Sequence, residues 1–172
     1  MGNLEFIKSG NTTSGTNLSI TNCFNSTYDV YKVFLSDIDF DGTGDKGIGM
    51  RFLDSAGSVI VASEYSSAMA WLYSNTTPGE SRYVNITGFS YGFGYTGSNN
   101  QGNIGSNLTI YNPYDASSYT LYTSHSSGVG ANLLGNKQIG SHNSAEQITG
   151  INIYVNGAGD FARLTVKVYG VR

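Results

Sequence analysis

The sequence predicts an all-β fold, an antiparallel, jelly-roll-like β-sandwich of about ten short strands. Three observations predict it. Apolar and polar residues alternate over short runs, the period of a half-buried strand. Turn signals rich in Gly, Asn and Asp separate the runs. No stretch of about a dozen residues carries a helical period with caps.

The clearest strand is the last one, Phe161 to Val171. Leu164, Val166 and Val168 share one face, and Thr165, Lys167 and Tyr169 share the other. It runs to the final residues, so truncation there is expected to be costly. Earlier strands are expected at Leu4 to Lys8 (a short edge), Asn17 to Asn22, Tyr28 to Asp37 and Ile48 to Leu53. Asp54 to Ser58 reads as a hairpin loop with Gly57 at a positive φ, and Val59 to Glu64 as the returning strand. Ser66 to Tyr73 fits a strand or a short helix, and the β-rich context favours the strand. Arg82 to Phe89, Asn107 to Asn112, Tyr119 to Ser124 and Gln147 to Val155 follow, and Asn156 to Asp160 turns into the last strand. An even division into two sheets is expected.

A chain of 172 residues is long enough for one domain with a real core. It is taken as 1–172, with 1–16 as a docking arm whose exposed edge would add a strand to a partner's sheet.

Charged residues make up only 12%, about half the usual share. Tyr, Gly, Asn, Ser and Thr fill the difference, giving a surface suited to contact with proteins or sugars. The net charge is −3, and the nine Lys and Arg are scattered from Lys8 to Arg172. That distribution excludes an electrostatic footprint for nucleic acid. Cys23 is alone, so no internal disulfide forms. Its apolar neighbours Ile20 and Phe24 point to a buried thiol and to folding in a reducing compartment. The N-terminus lacks a basic region followed by an apolar run, and Phe6 spoils a myristoylation pattern. No apolar stretch approaches the roughly 18 residues of a membrane span.

Asp37-Ile38-Asp39-Phe40-Asp41-Gly42 matches the opening of a calcium loop, with Asp45 at a further ligand position. Ile48 stands where that loop needs a bidentate Glu. Asp37, Asp39, Asp41 and Asp45 are therefore candidate calcium ligands, beside the plainer reading of an acidic strand-to-loop junction. No other cofactor is expected. Tyr91-Gly92-Phe93-Gly94-Tyr95 alternates aromatic residues with glycine, as either a strand or a loop. Tyr91, Phe93 and Tyr95 are candidate contacts for a partner or a glycan, or else core residues.

His125 and His142 sit in Ser/Gly-rich segments and read as loop histidines without metal-ligand spacing. No G-x-S-x-G elbow is present. Carboxylates for an acid–base pair exist in Glu64, Glu80, Asp115 and Glu146, but sequence alone cannot place two of them at a catalytic separation. The chain is therefore expected not to be an enzyme. N-x-S/T triplets at Asn11, Asn25, Asn75 and Asn107 reflect abundant Asn, Ser and Thr.

Several short motifs carry a resemblance. They are Met1-Gly2-Asn3-Leu4-Glu5-Phe6-Ile7-Lys8, Phe24-Asn25-Ser26-Thr27-Tyr28-Asp29-Val30-Tyr31, Met50-Arg51-Phe52-Leu53-Asp54-Ser55-Ala56-Gly57, Leu108-Thr109-Ile110-Tyr111-Asn112-Pro113, and the closing Ile148-Thr149-Gly150-Ile151 and Val168-Tyr169-Gly170. Together they make the chain similar to small virion structural proteins of marine tailed phages, especially contractile-tailed cyanophages. The resemblance implies a jelly-roll-like fold and a place on the outer surface of a virion, after synthesis in the host cytoplasm. It transfers no catalytic residue. The expected role is a capsid decoration or cement protein. Its partners would be other virion proteins, first the major capsid protein, and it would act as a homo-oligomer with a trimer preferred. The alternative is a tail or fibre-tip module that recognises host surface glycan through Tyr91, Phe93 and Tyr95. Neither nucleic acid nor membrane insertion is expected.

Overall fold

A computed structural model describes residues 3–42, 44–96, 104–129 and 133–172. Its described residues form twelve strands and no helix: β1 (Leu4–Thr12), β2 (Asn17–Ile20), β3 (Val30–Phe40), β4 (Lys46–Leu53), β5 (Tyr65–Tyr73), β6 (Gly79–Ile86), β7 (Tyr95–Thr96), β8 (Ile104–Tyr111), β9 (Thr120–Val129), β10 (Leu133–His142), β11 (Gly150–Asn156) and β12 (Phe161–Val171). Among the described residues no helix is long and apolar enough to cross a membrane. The strands pair antiparallel in an eight-stranded sheet, β1-β12-β3-β8-β9-β10-β5-β6, and a four-stranded sheet, β2-β11-β4-β7. This is the β-sandwich that the alternation predicts.

The division is uneven where an even one was expected. Val59 to Glu64 does not return as a strand; only an isolated bridge joins Val59 to Leu53. The β7 strand is two residues long. Among the described residues the small sheet therefore has four strands against eight in the large one. The hairpin loop itself follows expectation. The Asp54 carboxylate accepts from the Ala56 and Ser58 amides, both at 2.8 Å, and Gly57 takes φ 79°.

The segment expected as a docking arm contains β1, which lies along β12 as an edge strand from Leu4 to Thr12. A second difference is β10, read from the sequence as part of a loop. Its inward positions include Gln138, Gly140 and His142, so the apolar alternation that marks a strand is missing.

Side chains from both sheets meet in one core. Tyr31, Val33, Leu35, Leu108, Ile110, Val166 and Val168 come from the large sheet, and Ile48, Met50, Phe52, Ile151 and Ile153 from the small one. At one end the core becomes aromatic. The Phe89 ring packs 4.9 Å from Tyr65, 5.8 Å from Phe52 and 4.2 Å from Tyr122. Tyr65 has two hydrogen bonds: its hydroxyl donates to the Ile60 carbonyl at 3.0 Å and accepts from the Phe52 amide at 3.1 Å. Tyr65→Phe keeps the ring but leaves both backbone groups without that partner. It is expected to cost about 1–3 kcal/mol in chemical denaturation.

Cys23 is fully buried, and burial pushes its thiol up to about 12. At pH 8 a thiol with a pKa near that value is ionised in roughly one molecule in ten thousand. Native protein is expected to resist alkylation at pH 8 for hours and to label fully in denaturant. Rapid labelling of the native form would mean that the thiol is accessible.

Candidate functional site

The segment around Tyr91 is a loop that lies on the inner face of β9 and β10. Three side chains hold its backbone. Asn136 Nδ2 donates to the Tyr91 carbonyl at 2.8 Å, Ser124 Oγ to the Gly92 carbonyl at 3.1 Å, and Gln138 Nε2 to the Ser90 carbonyl at 3.5 Å. Gly92 comes so close to Gln138 that any Cβ would overlap the amide. Gly92→Ala is therefore expected to dislodge the loop and lower the melting temperature by several degrees in a thermal scan.

This loop separates its three aromatic residues. Phe93 turns inward and is fully buried. Tyr91 and Tyr95 stay half-buried, with rings 6.2 Å apart. They line a 170 Å³ cleft together with Met69, Trp71, Tyr73, Tyr83 and Asn136. Among the described residues β7 is the last strand of the small sheet, and the cleft lies beside it on the inner faces of β5 and β6. The Trp71 indole lies flat over Gly79, its cross-strand partner, where no other residue would leave room. Of the three residues singled out from the sequence, two therefore line a cleft and one belongs to the core. Trp71, Tyr73 and Tyr83 join them only through strand pairing, which local spacing does not reveal.

The acidic stretch is divided among several partners. Asp37 and Asp39 both face Arg163, at 3.4 and 3.2 Å. Asp39 also accepts from the Phe40 amide at 3.0 Å. Asp45 bonds the Tyr95 hydroxyl; burial first, and then this bond, raise the Tyr95 pKa. The Asp41 amide donates to the Asp160 carbonyl at 2.9 Å. The Lys46 ammonium, on a fully buried side chain, donates to the Gly42 carbonyl at 3.0 Å inside the same turn. Among the described residues Asp37, Asp39, Asp41 and Asp45 form no ligand cluster.

A cluster forms elsewhere. His142, the last residue of β10, is fully buried, and its ring packs 4.8 Å from Tyr65 and 5.9 Å from Phe52. Its Nε2 faces Glu64 Oε2 at 3.5 Å and Glu146 Oε1 at 3.7 Å. Burial holds the His142 pKa below the usual value, outweighing the upward pull of Glu146 and Glu64. The reading of His142 as a loop histidine is thus corrected, and His125 likewise lies on β9. The available signal was Glu146, four residues after His142. Glu64 reaches the cluster because its carbonyl accepts from the Asn143 amide at 2.7 Å.

The outer face of the large sheet carries exposed apolar residues on neighbouring strands. Ile139 on β10 stands between Thr123 of β9 and Ala68 of β5, and Leu121 lies opposite Ser141. Leu121 is 49% exposed, Ile139 55%, Leu72 60% and Val84 70%. Leu121, Ile139, Ala68, Val84, Arg82 and Tyr111 line a groove of 500 Å³ across this face.

No family model matches this chain, and no curated protein matches it. Solved structures similar to it include an alginate lyase from Alteromonas sp. 272, at 12% identity and TM-score 0.32, covering 91% of this chain and 78% of that one. The family 7 alginate lyase A1-II′ is similar at 8% identity and TM-score 0.28, with 84% of this chain and 60% of that one covered. A structure of infectious bursal disease virus, Gx strain, follows at 10% identity and TM-score 0.18, with 98% and 38% covered. The expectation that the chain is not an enzyme is corrected at this point, because two of these similar structures are lyases. The expectation also rested on the lack of an assembled carboxylate pair, and the fold brings Glu64 and Glu146 together on His142. Likenesses at these TM-scores assign this chain no activity, substrate or partner.

Proposed function

We propose that this chain is a structural protein of a virus particle that docks on a neighbouring virion protein through the outer face of its large sheet. One observation carries the reading, the apolar groove around Leu121, Ile139 and Val84. A sheet face turned to water normally carries polar side chains, and a contiguous apolar patch marks a contact surface. The low charge of the chain fits docking by shape and hydrogen bonds, with little dependence on salt. In the finer form of the proposal the partner is the major capsid protein of a tailed phage, and the chain adds as a trimer to the outside of the assembled head. A ligand that binds only the assembled shell stabilises it by mass action.

The test is cosedimentation of the purified protein with phage heads stripped of accessory proteins, followed by imaging. Saturable binding at symmetry-related positions is expected. Leu121→Glu combined with Ile139→Glu should weaken it by at least about 100-fold, since each would force a charge into the contact. Binding that survives both substitutions would remove the groove from the proposal.

The aromatic cleft favours a second reading, a receptor-binding module for host surface glycan. Stacked rings beside an amide are a common way to hold a sugar. Trp71 is the only tryptophan, so its fluorescence reports on the cleft directly. Titration with host envelope polysaccharide should shift that emission, and Tyr95→Ala should weaken the response by about tenfold. No shift at saturating polysaccharide would sink this reading.

A further inference from the structure

The cluster on His142 faces the core side of the large sheet, at the opposite end of β5 from the aromatic cleft. His142 is fully buried, and among the described residues neither ring nitrogen makes a hydrogen bond of good geometry; the Ser144 backbone is the only hydrogen-bonding group that acts on the ring, and it lies beside the two carboxylates. A buried imidazole in that condition is costly and calls for a reason. The carboxylate oxygens stand 3.5 and 3.7 Å from Nε2. Both distances are long for a charge-assisted hydrogen bond. They fit donors that share an ion. Ligand atoms about 2.0–2.2 Å from a tetrahedral zinc stand roughly 3.3–3.6 Å apart.

We propose that Glu64, His142 and Glu146 bind a divalent transition-metal ion of the zinc class. The donor chemistry selects that class. One imidazole nitrogen with two carboxylates suits zinc and its first-row neighbours, whereas calcium needs about six to eight oxygens. All three ligand atoms lie within 4.8 Å of one another. The imidazole is held in place by the rings of Tyr65 and Phe52. The carboxylates are partly exposed, 39% for Glu64 and 33% for Glu146, so a fourth coordination position opens to solvent. Glu64 immediately precedes β5 and His142 ends β10, both in the large sheet. Glu146 lies in the connection to β11 of the small sheet. A bound ion therefore ties the segments that pass between the two layers.

The experiment uses the full chain, free of any purification tag and stripped with chelator. Cobalt(II) serves as a spectroscopic stand-in for zinc. Visible ligand-field bands are expected with saturation at one ion per chain. Zinc at about 100 times its dissociation constant should raise the melting temperature by about 5–10 °C. Glu64→Gln combined with Glu146→Gln changes only partly exposed groups and should fold normally by circular dichroism, yet lose both responses. Three results would overturn the proposal: no bands and no thermal shift in the wild type at millimolar metal, the same response in the double variant, or a shift with calcium but none with zinc.

Discussion

Phe89→Ala is expected to lower the unfolding free energy by about 3–5 kcal/mol, measured as a shift of the urea midpoint at unchanged slope. Phe89 is fully buried and its ring meets Phe52, Tyr65, Phe93 and Tyr122. Its backbone also bridges to the small sheet, since the Phe89 amide donates to Met50 and the Met50 amide to Phe89, both at 2.9 Å. That pair of hydrogen bonds holds the Phe89 backbone in place and limits collapse of the cavity, which puts the cost at the upper end of the range. The neighbouring rings also pack on one another, Phe52 on Tyr65 at 6.1 Å and Phe93 on Tyr122 at 5.4 Å. A loss below about 1 kcal/mol would mean that this end of the core repacks freely.

Deletion of residues 164–172 is expected to abolish cooperative unfolding altogether. β12 lies between β1 and β3, so its removal strands the edge and exposes the backbone of β3. Leu164, Val166 and Val168 are almost wholly buried. Their burial alone is worth roughly 5–9 kcal/mol, comparable with the roughly 5–15 kcal/mol total stability of an ordinary domain. Calorimetry of the shortened chain should give no sharp transition, and its amide proton spectrum should lose dispersion. A cooperative transition within a few degrees of the wild type would show that the sandwich closes without its last strand.

The sequence made β12 legible because one of its faces is purely aliphatic and the other polar. β3 and β8 were legible because apolar residues recur at alternate positions, Tyr31, Val33 and Leu35 in one and Leu108 and Ile110 in the other. β10 was not, because its inward face carries Gln138, Gly140 and His142, residues that look like loop residues when read one by one. Their placement answers to long-range partners: Gln138 reaches Ser90 and Ser67, and His142 reaches Glu64. The candidate site divides in the same way. Tyr91 and Tyr95 stood out through their alternation with glycine, whereas Trp71 and Tyr83 reach the cleft only through β5–β6 pairing. The acidic motif was visible but its partners were not, since Arg163 and Tyr95 come from elsewhere in the chain to engage its carboxylates.

Both outer strands of the large sheet are bent out of register. β1 carries an extra residue between Phe6 and Lys8, and Lys8 turns its ammonium away to the Thr21 carbonyl at 2.6 Å. On the far side β6 bulges opposite the Tyr65 and Ser67 pair, with Asn85 at φ 54°. Irregular, charged borders of this kind discourage the growth of one continuous ribbon from molecule to molecule. Edge-to-edge pairing between copies of this chain is thus disfavoured at both borders of the large sheet.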